Sequence, residues 1–378
     1  MPRLLYAFCA ILFGGIFILA LCSFYKSDKE IQPVHKVEQT SLSAILEEVV
    51  ADNNLPSLAA AIISEDGIVD KAAHGVRKDG EDTPVSDQDK FHLGSCTKAM
   101  TAVLTAMLID DGLISWNTTI QDVFPDLSDI IHPDFHQVDV YELLTHTSGI
   151  APNSLNMWAH AELDTIARRL KIIIENIEQP APHKRGEFLY ANLGYMMVGC
   201  MLEKITGKTW EALMQERVFS PLDMNSAGFG PPSTSGEIDQ PWGHSDRYGT
   251  NNWSPVQFDN PESLGPAGTV HCNIEDWGKF ISFQLLQKDN SLLSQVQRDK
   301  LLQVNKENYA PGWRIVDRPW AEGKAITHAG SNTMNFALAW VAPNIDRAYL
   351  VLTNSFAPST PKICDEVVVG FLKLENRL

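Results

Sequence analysis

The apolar positions of this chain change their period as it runs. Residues 4–21, "LLYAFCAILFGGIFILAL", form an unbroken apolar stretch of 18, with Arg3 before it and the polar "KSDKE" shortly after. A run with no polar face, at the lower length limit of a bilayer span, reads as a signal peptide or an N-terminal membrane anchor over residues 1–25. The functional domain is then expected to be exported, periplasmic or extracellular, and membrane-anchored if that segment stays. Residues 26–40 are polar without periodicity and read as a linker. From residue 41 helical spacing takes over in "SLSAILEEVVADN". Next, "SLAAAIISEDGIVDKAAHGVRK" places two apolar-rich runs around Asp66-Gly67, a hairpin signal. Near the other end "NFALAWVAPNIDRAYLVLTNS" repeats that design around "APNIDR", and "TPKICDEVVVGFLKLE" reads as a closing helix.

Between them, over roughly residues 105–265, the patterns are helical: "YELLTHTSG", "DTIARRLKIIIENI", "LGYMMVGCMLEKITG" and "WEALMQERVF". Pro- and Gly-rich loops such as "GFGPPSTSG" separate them. Strands at both ends and helices between predict an α+β domain over 41–378. Its antiparallel sheet is built from both chain ends, flanked by helices, and faced by a mainly helical insertion lobe.

Composition narrows the function. With 378 residues, 44% hydrophobic, the chain is long enough for one large domain or two intimate lobes. A formal net charge of −17 excludes a nucleic-acid partner, which needs a basic surface. Beyond Cys9 and Cys22 in the leader, Cys96, Cys200, Cys272 and Cys364 are scattered and read as buried free thiols rather than a zinc site or disulfide framework. His132 and His136 have i, i+4 spacing, but Pro133 lies between them and no Glu follows the first. No metal or other cofactor is expected.

The chemistry centres on "FHLGSCTKAM", residues 91–100. Ser-x-x-Lys occurs three times, at Ser23, Ser95 and Ser359, so the pattern alone selects nothing. At the first turn of a helix, however, Lys98 projects from the same face as Ser95, and a serine nucleophile needs an adjacent base. Cys96 lies about 100° around that helix and should not share the lysine. A partner stands in "RGEFLYANLGYMMVG": Tyr190-Ala191-Asn192 is the only Tyr-x-Asn in the chain. Tyr190 could shuttle a proton and Asn192 could donate to a substrate carbonyl; the ordinary readings are a loop tyrosine and a helix N-cap. Third, in "AITHAGSNTMNFALAWV", His328-Ala329-Gly330 precedes the last hairpin, on a strand expected to be an edge that lays substrate along its backbone. His-x-Gly is weak alone, since "HLG" at His92 also fits.

In this order and spacing the three elements resemble the active site of the class C β-lactamase-like serine hydrolases, which comprise class C β-lactamases, D,D-peptidases, D-aminopeptidases and related esterases. Class A enzymes carry a related motif set. "YELLTHTSGI" resembles the family's Leu-Leu-Thr-His-Thr-Ser-Gly segment, "VFSPLDMNSAGF" its Pro-Leu-Gly-Met segment, and "LGPAGTVHCNIEDWGKF" its Pro-Ala-Gly-Gly loop. The similarity spans roughly 41–375. It implies a β-lactamase/penicillin-binding-protein-like fold with Ser95 as the acylated nucleophile, Lys98 as its base or proton partner, and Tyr190 as general base and acid. It further implies that Asn192 contacts the acyl side chain, that the N–H groups of Ser95 and Ser331 form the oxyanion hole, and that His328 and Gly330 lie on the substrate-facing strand. The segment around His146 would be structural.

One departure matters. Lactamases usually carry Lys-Thr-Gly where this chain has His-Ala-Gly, so a fixed positive charge is missing, since a histidine of ordinary pKa is mostly neutral at pH 7. The expected function is therefore hydrolysis of amides or esters of a small molecule or peptide, such as D-amino-acid peptides, through a Ser95 acyl-enzyme. A β-lactamase or a penicillin-binding D,D-carboxypeptidase is the neighbouring reading, and a non-catalytic binding or scaffold descendant the distant one.

Overall fold

The Ser41 side chain accepts from the Ala44 N–H (3.2 Å) and starts helix α1, Leu42–Asn53, which stops where Asn54 turns left-handed (φ 49°). The computed structural model describes residues 41–246, 248–250, 252–286 and 292–378. The leader, the linker and the Ser23 copy of Ser-x-x-Lys lie outside the described residues.

Seven strands form the main sheet: β1 (Ser57–Ser64), β2 (Gly67–Gly75), β3 (Tyr309–Ala310), β4 (Trp313–Arg318), β5 (Gly323–Ser331), β6 (Phe336–Ala342) and β7 (Arg347–Thr353). Their order is β2-β1-β7-β6-β5-β4-β3, antiparallel throughout. The two chain ends meet where Ala59 of β1 sits opposite Leu352 of β7. Both faces of the sheet are covered, which is why β1 reads as a continuous apolar run rather than an alternation. Leu58, Ala60 and Ile62 join the core under α1 and the closing helix, Thr360–Leu374. Ala59, Ala61 and Ile63 join the core shared with the helical lobe.

Four helices of that lobe matter here. Helix α2 (Thr97–Asp110) is buried from Thr97 to Leu108, Lys98 and three threonines included, as a helix enclosed on all sides. Helix α3 (Thr165–Ile177) and helix α4 (Asn192–Thr206) pack together, and a short helix, Trp210–Met214, continues into a wider π turn over Gln215–Phe219. The middle of the chain is less uniformly helical than its periodicity suggests. Strands Gly228–Phe229, Gly243–Ser245 and Ser254–Val256 fall within 105–265 and are too short to register as a pattern. The first of them, with Phe91–His92 and Val270–Cys272, makes a small sheet under the Ser95 turn.

Strand β5 corrects one expectation. It is not an edge strand, because β6 flanks it along Ile326–Ser331 and β4 along Gly323–Thr327. Its last four residues instead run past the end of β4. That overhang leads to the site.

Candidate active site

Ser95 lies in a one-turn 3₁₀ helix, Gly94–Cys96, that runs directly into α2. Gly94 holds the left-handed conformation (φ 50°), and a Cβ on it would stand 2.3 Å from the Ser331 nitrogen. A Cβ on Gly330 would stand 2.0 Å from the Leu93 carbonyl oxygen and 2.7 Å from the Ser95 nitrogen. Only two glycines facing each other let the backbone of the Ser95 turn lie this close to the overhang of β5. The N–H groups of Ser95 and Ser331 are thereby brought to one place. The Ser331 side chain is otherwise engaged: its hydroxyl donates to the Asn335 carbonyl (2.7 Å) and accepts from the Thr333 N–H (2.9 Å).

Ser95 retains 7% of its surface, whereas Lys98 is wholly buried. The Lys98 Nζ lies 3.1 Å from Ser95 Oγ, 2.7 Å from Asn192 Oδ1 and 2.7 Å from the Ala267 carbonyl oxygen. Burial drives the Lys98 pKa well below that of an ordinary lysine, and among the described residues no carboxylate touches it to oppose the shift. A neutral amine has two N–H donors and one lone pair. Asn192 Oδ1 and the Ala267 oxygen can only accept, so they take both donors and leave the lone pair facing the Ser95 hydroxyl. Cys96 points elsewhere, with Sγ 3.7 Å from the His328 carbonyl oxygen, and burial raises its pKa.

Tyr190 is buried, its ring centroid 4.9 Å from Lys98 Nζ. Burial, followed by Tyr309, pushes its phenol well above the ordinary range, and the Ser95 side chain pulls it partly back. The phenol oxygen is buried and, among the described residues, makes no hydrogen bond. His146, left-handed at φ 60°, stacks on Tyr190 at 4.3 Å between ring centroids and accepts the Ala191 N–H at Nδ1 (3.1 Å). Its segment holds the Tyr190 loop in place, the structural part expected of it.

Asn192 departs from the helix N-cap reading. It is the first residue of α4, the N-cap is Ala191, and the Asn192 side chain caps nothing. Its oxygen accepts from Lys98 and one amide N–H donates to Asn153 Oδ1 (2.8 Å), which leaves the second N–H for a substrate carbonyl. His328 is also buried, and its Nε2 lies 3.2 Å from the Tyr309 hydroxyl. Burial lowers its pKa to about 3, which keeps it neutral at pH 7.

Asn153, Ala267 and Tyr309 belong to this constellation and were not singled out from the sequence. Ala267 sits in the Pro-Ala-Gly segment, but it contributes a main-chain oxygen that no residue type advertises. Asn153 stands in an unpatterned loop and Tyr309 on the two-residue strand β3, and only proximity marks them.

Comparison with known proteins bears on the family and the fold. The chain is 25% identical to Penicillin-binding protein 4 of Amycolatopsis lactamdurans over 316 residues, 80% of this chain and 82% of that one. It is 26% identical over 222 residues to the Unguisins hydrolase ungD' of Aspergillus campestris, 56% of this chain and 41% of that protein's length. Its fold matches the D-amino acid amidase of Ochrobactrum anthropi SV3, solved with L-phenylalanine amide, with a TM-score of 0.70 at 19% identity over 88% of this chain and 97% of that one. The Beta-lactamase family model matches residues 42–369, and the chain belongs to that family of serine hydrolases.

Proposed function

We propose that the protein hydrolyses amide or ester bonds through an acyl-enzyme on Ser95. The observation that carries this reading is the buried amine of Lys98, 3.1 Å from Ser95 Oγ, whose pKa burial lowers well below that of an ordinary lysine. In the forward step the Ser95 oxygen attacks the acyl carbon while its proton passes to Lys98 Nζ. The carbonyl oxygen, now negative, is held by the Ser95 and Ser331 N–H groups. The phenol of Tyr190, protonated at rest, donates to the departing amine or alcohol and regains a proton from the lysine side. Water then attacks the acyl-enzyme, giving its proton back through the same groups, and the acid product leaves. Asn192 holds Lys98 through its oxygen and keeps one amide N–H for the acyl side of the substrate.

The neutral His328 supplies no cation for a substrate carboxylate, which favours peptidase, amidase or esterase chemistry over efficient β-lactam hydrolysis. A D-amino-acid amide or peptide is the substrate class we favour, in keeping with the name of the D-amino acid amidase that shares the fold. The apolar run at residues 4–21 supports an exported or membrane-anchored location. Among the described residues no helix is long and apolar enough to cross a membrane.

Intact-mass spectrometry of residues 30–378 after exposure to a D-amino-acid amide, a D-Ala-D-Ala peptide, a short-chain activated ester and a β-lactam tests the proposal. The expected result is a transient adduct on Ser95 with one of the first three, absent from Ser95→Ala. A Ser95→Ala variant that turns over the ester at the wild-type rate overturns the mechanism.

A further inference from the structure

The second His-x-Gly of the chain, His92-Leu93-Gly94, has no part in the proton transfers above, yet it sits directly under the nucleophile. The His92 side chain is fully buried on the short strand Phe91–His92. Its Nδ1 accepts the Gly94 N–H at 3.0 Å. The imidazole proton therefore resides on Nε2, which donates to the Asp259 carboxylate, 2.8 Å from Oδ1 and 2.9 Å from Oδ2.

The same carboxylate reaches the other half of the oxyanion hole. Asp259 Oδ1 accepts from Asn332 Nδ2 at 2.9 Å. Asn332 directly follows Ser331, and its side-chain oxygen accepts from the Met334 N–H (3.2 Å) and the Asn335 N–H (2.9 Å), which shapes the turn at the end of β5. The next residue along, Asn260, donates from Nδ2 to the Gly268 carbonyl (2.7 Å), beside the Ala267 oxygen that holds Lys98. The buried carboxylate of Asp259 thus ties the Ser95 turn to the Ser331 turn, and its neighbour Asn260 adds the Pro-Ala-Gly loop.

We infer that Asp259, acting through His92 and Asn332, is a positioning residue that sets the separation between the Ser95 and Ser331 N–H groups. The inference rests on the proposed Ser95 acyl-enzyme. It assigns a task to a buried charge that packing alone does not require, because burying a carboxylate is costly unless each of its lone pairs is used. Two N–H groups can bind a developing oxyanion only if they are held at hydrogen-bonding distance from one point. Neither Gly94 nor Gly330 has a side chain with which to fix that distance. The Asp259 network fixes it from beneath.

The test is Asp259→Asn, which keeps the shape and leaves one acceptor oxygen in place of two. Three readouts are needed on purified, folded protein: kcat and KM with a short-chain activated ester, inhibition by a small arylboronic acid, and thermal unfolding. The boronate forms a tetrahedral adduct on the serine and reads the oxyanion hole directly. The expected result is a fall in kcat of about 10²-fold, the scale of losing one oxyanion donor, with weaker boronate inhibition by a similar factor. The KM should stay within about threefold, since ground-state binding is not what the hole supplies. Should Asp259→Asn not fold, Asn332→Ala removes one link only and is read in the same way. A folded variant whose kcat and boronate inhibition both stay within twofold of wild type overturns the inference. So does a kcat loss with unchanged boronate inhibition. Wild-type protein that never acquires an adduct on Ser95 would instead overturn the proposed function.

Discussion

Lys98 is the residue on which the chemistry turns, because an ordinary lysine at pH 7 is a cation and no base. Its burial, and the choice of a neutral amide and a main-chain oxygen as partners, keep the amine available. Asn192→Asp reverses that choice by setting a carboxylate 2.7 Å away. An adjacent negative charge favours the ammonium form and raises the lysine pKa by about 1–3 units. We expect kcat/KM at pH 7 to fall by about ten- to a hundredfold, with activity recovering as pH rises. A pH–rate profile of the variant checks this; a profile superimposable on wild type would contradict it. The contact of Ser95 with Lys98 was legible in the chain, since residues three apart share one face of a helical turn. Asn153 was not, because it reaches Asn192 across 39 residues and depends on where two loops end.

Helix α4 delivers Asn192 to the site, and its far end is tied down by a buried cation. Arg169 of α3 pairs with Glu203 of α4 and, at 2.6 Å, with Glu211, and it donates from Nε to the Ser263 carbonyl at 3.1 Å. Burial raises the Glu203 pKa to about 7, more than its bond to Arg169 lowers it. Removing the arginine strands two carboxylates in the lobe. Arg169→Met should cost about 3–5 kcal/mol of stability, the range for breaking a buried pair from one side. Urea unfolding monitored by tryptophan fluorescence measures this, and a change below about 1 kcal/mol would show that the network is not a brace. Periodicity identified α3 and α4 as helices; that Arg169 faces inward goes against its residue type. Likewise β5 was recognisable as a strand, but its position inside the sheet, with only an overhang exposed, follows from β3 and β4, whose short runs carry little signal.

Across the whole molecule the buried histidines give the protein a distinctive response to acid. Burial lowers His146 well below the usual value, His244 to a lesser degree, His271 to about 4 and His328 to about 3. In the unfolded chain each titrates near 6.5. Above that pH both states are neutral and the histidines leave stability unchanged. As pH falls through 6.5 the unfolded state takes up protons that the folded state refuses, so stability declines until the folded pKa is reached. Glu203 works in the opposite sense between about 7 and its ordinary value, so the net curve alone is not diagnostic. The difference between wild type and His328→Gln is. Stability lost between pH 7.5 and pH 5 should be smaller in the variant by about 2 kcal/mol. Chemical denaturation at the two pH values gives the difference, and equal losses would mean that His328 is not held neutral by the fold.

Local order was written in the chain: hairpins at both ends, helices between them, and a serine one turn from a lysine. Each rests on contacts between near neighbours, whose geometry the backbone period sets. The meeting of Lys98 with Asn192 and Ala267 rests on long loop closures, as do the neutrality of His328 and the tie of Asp259 to two turns. These depend on desolvation, a property of everything packed around a side chain and of no residue in isolation. Ser-x-x-Lys could therefore be read as a candidate from the chain. Its lysine becomes a base only when helix, loop and strand close over it and exclude water.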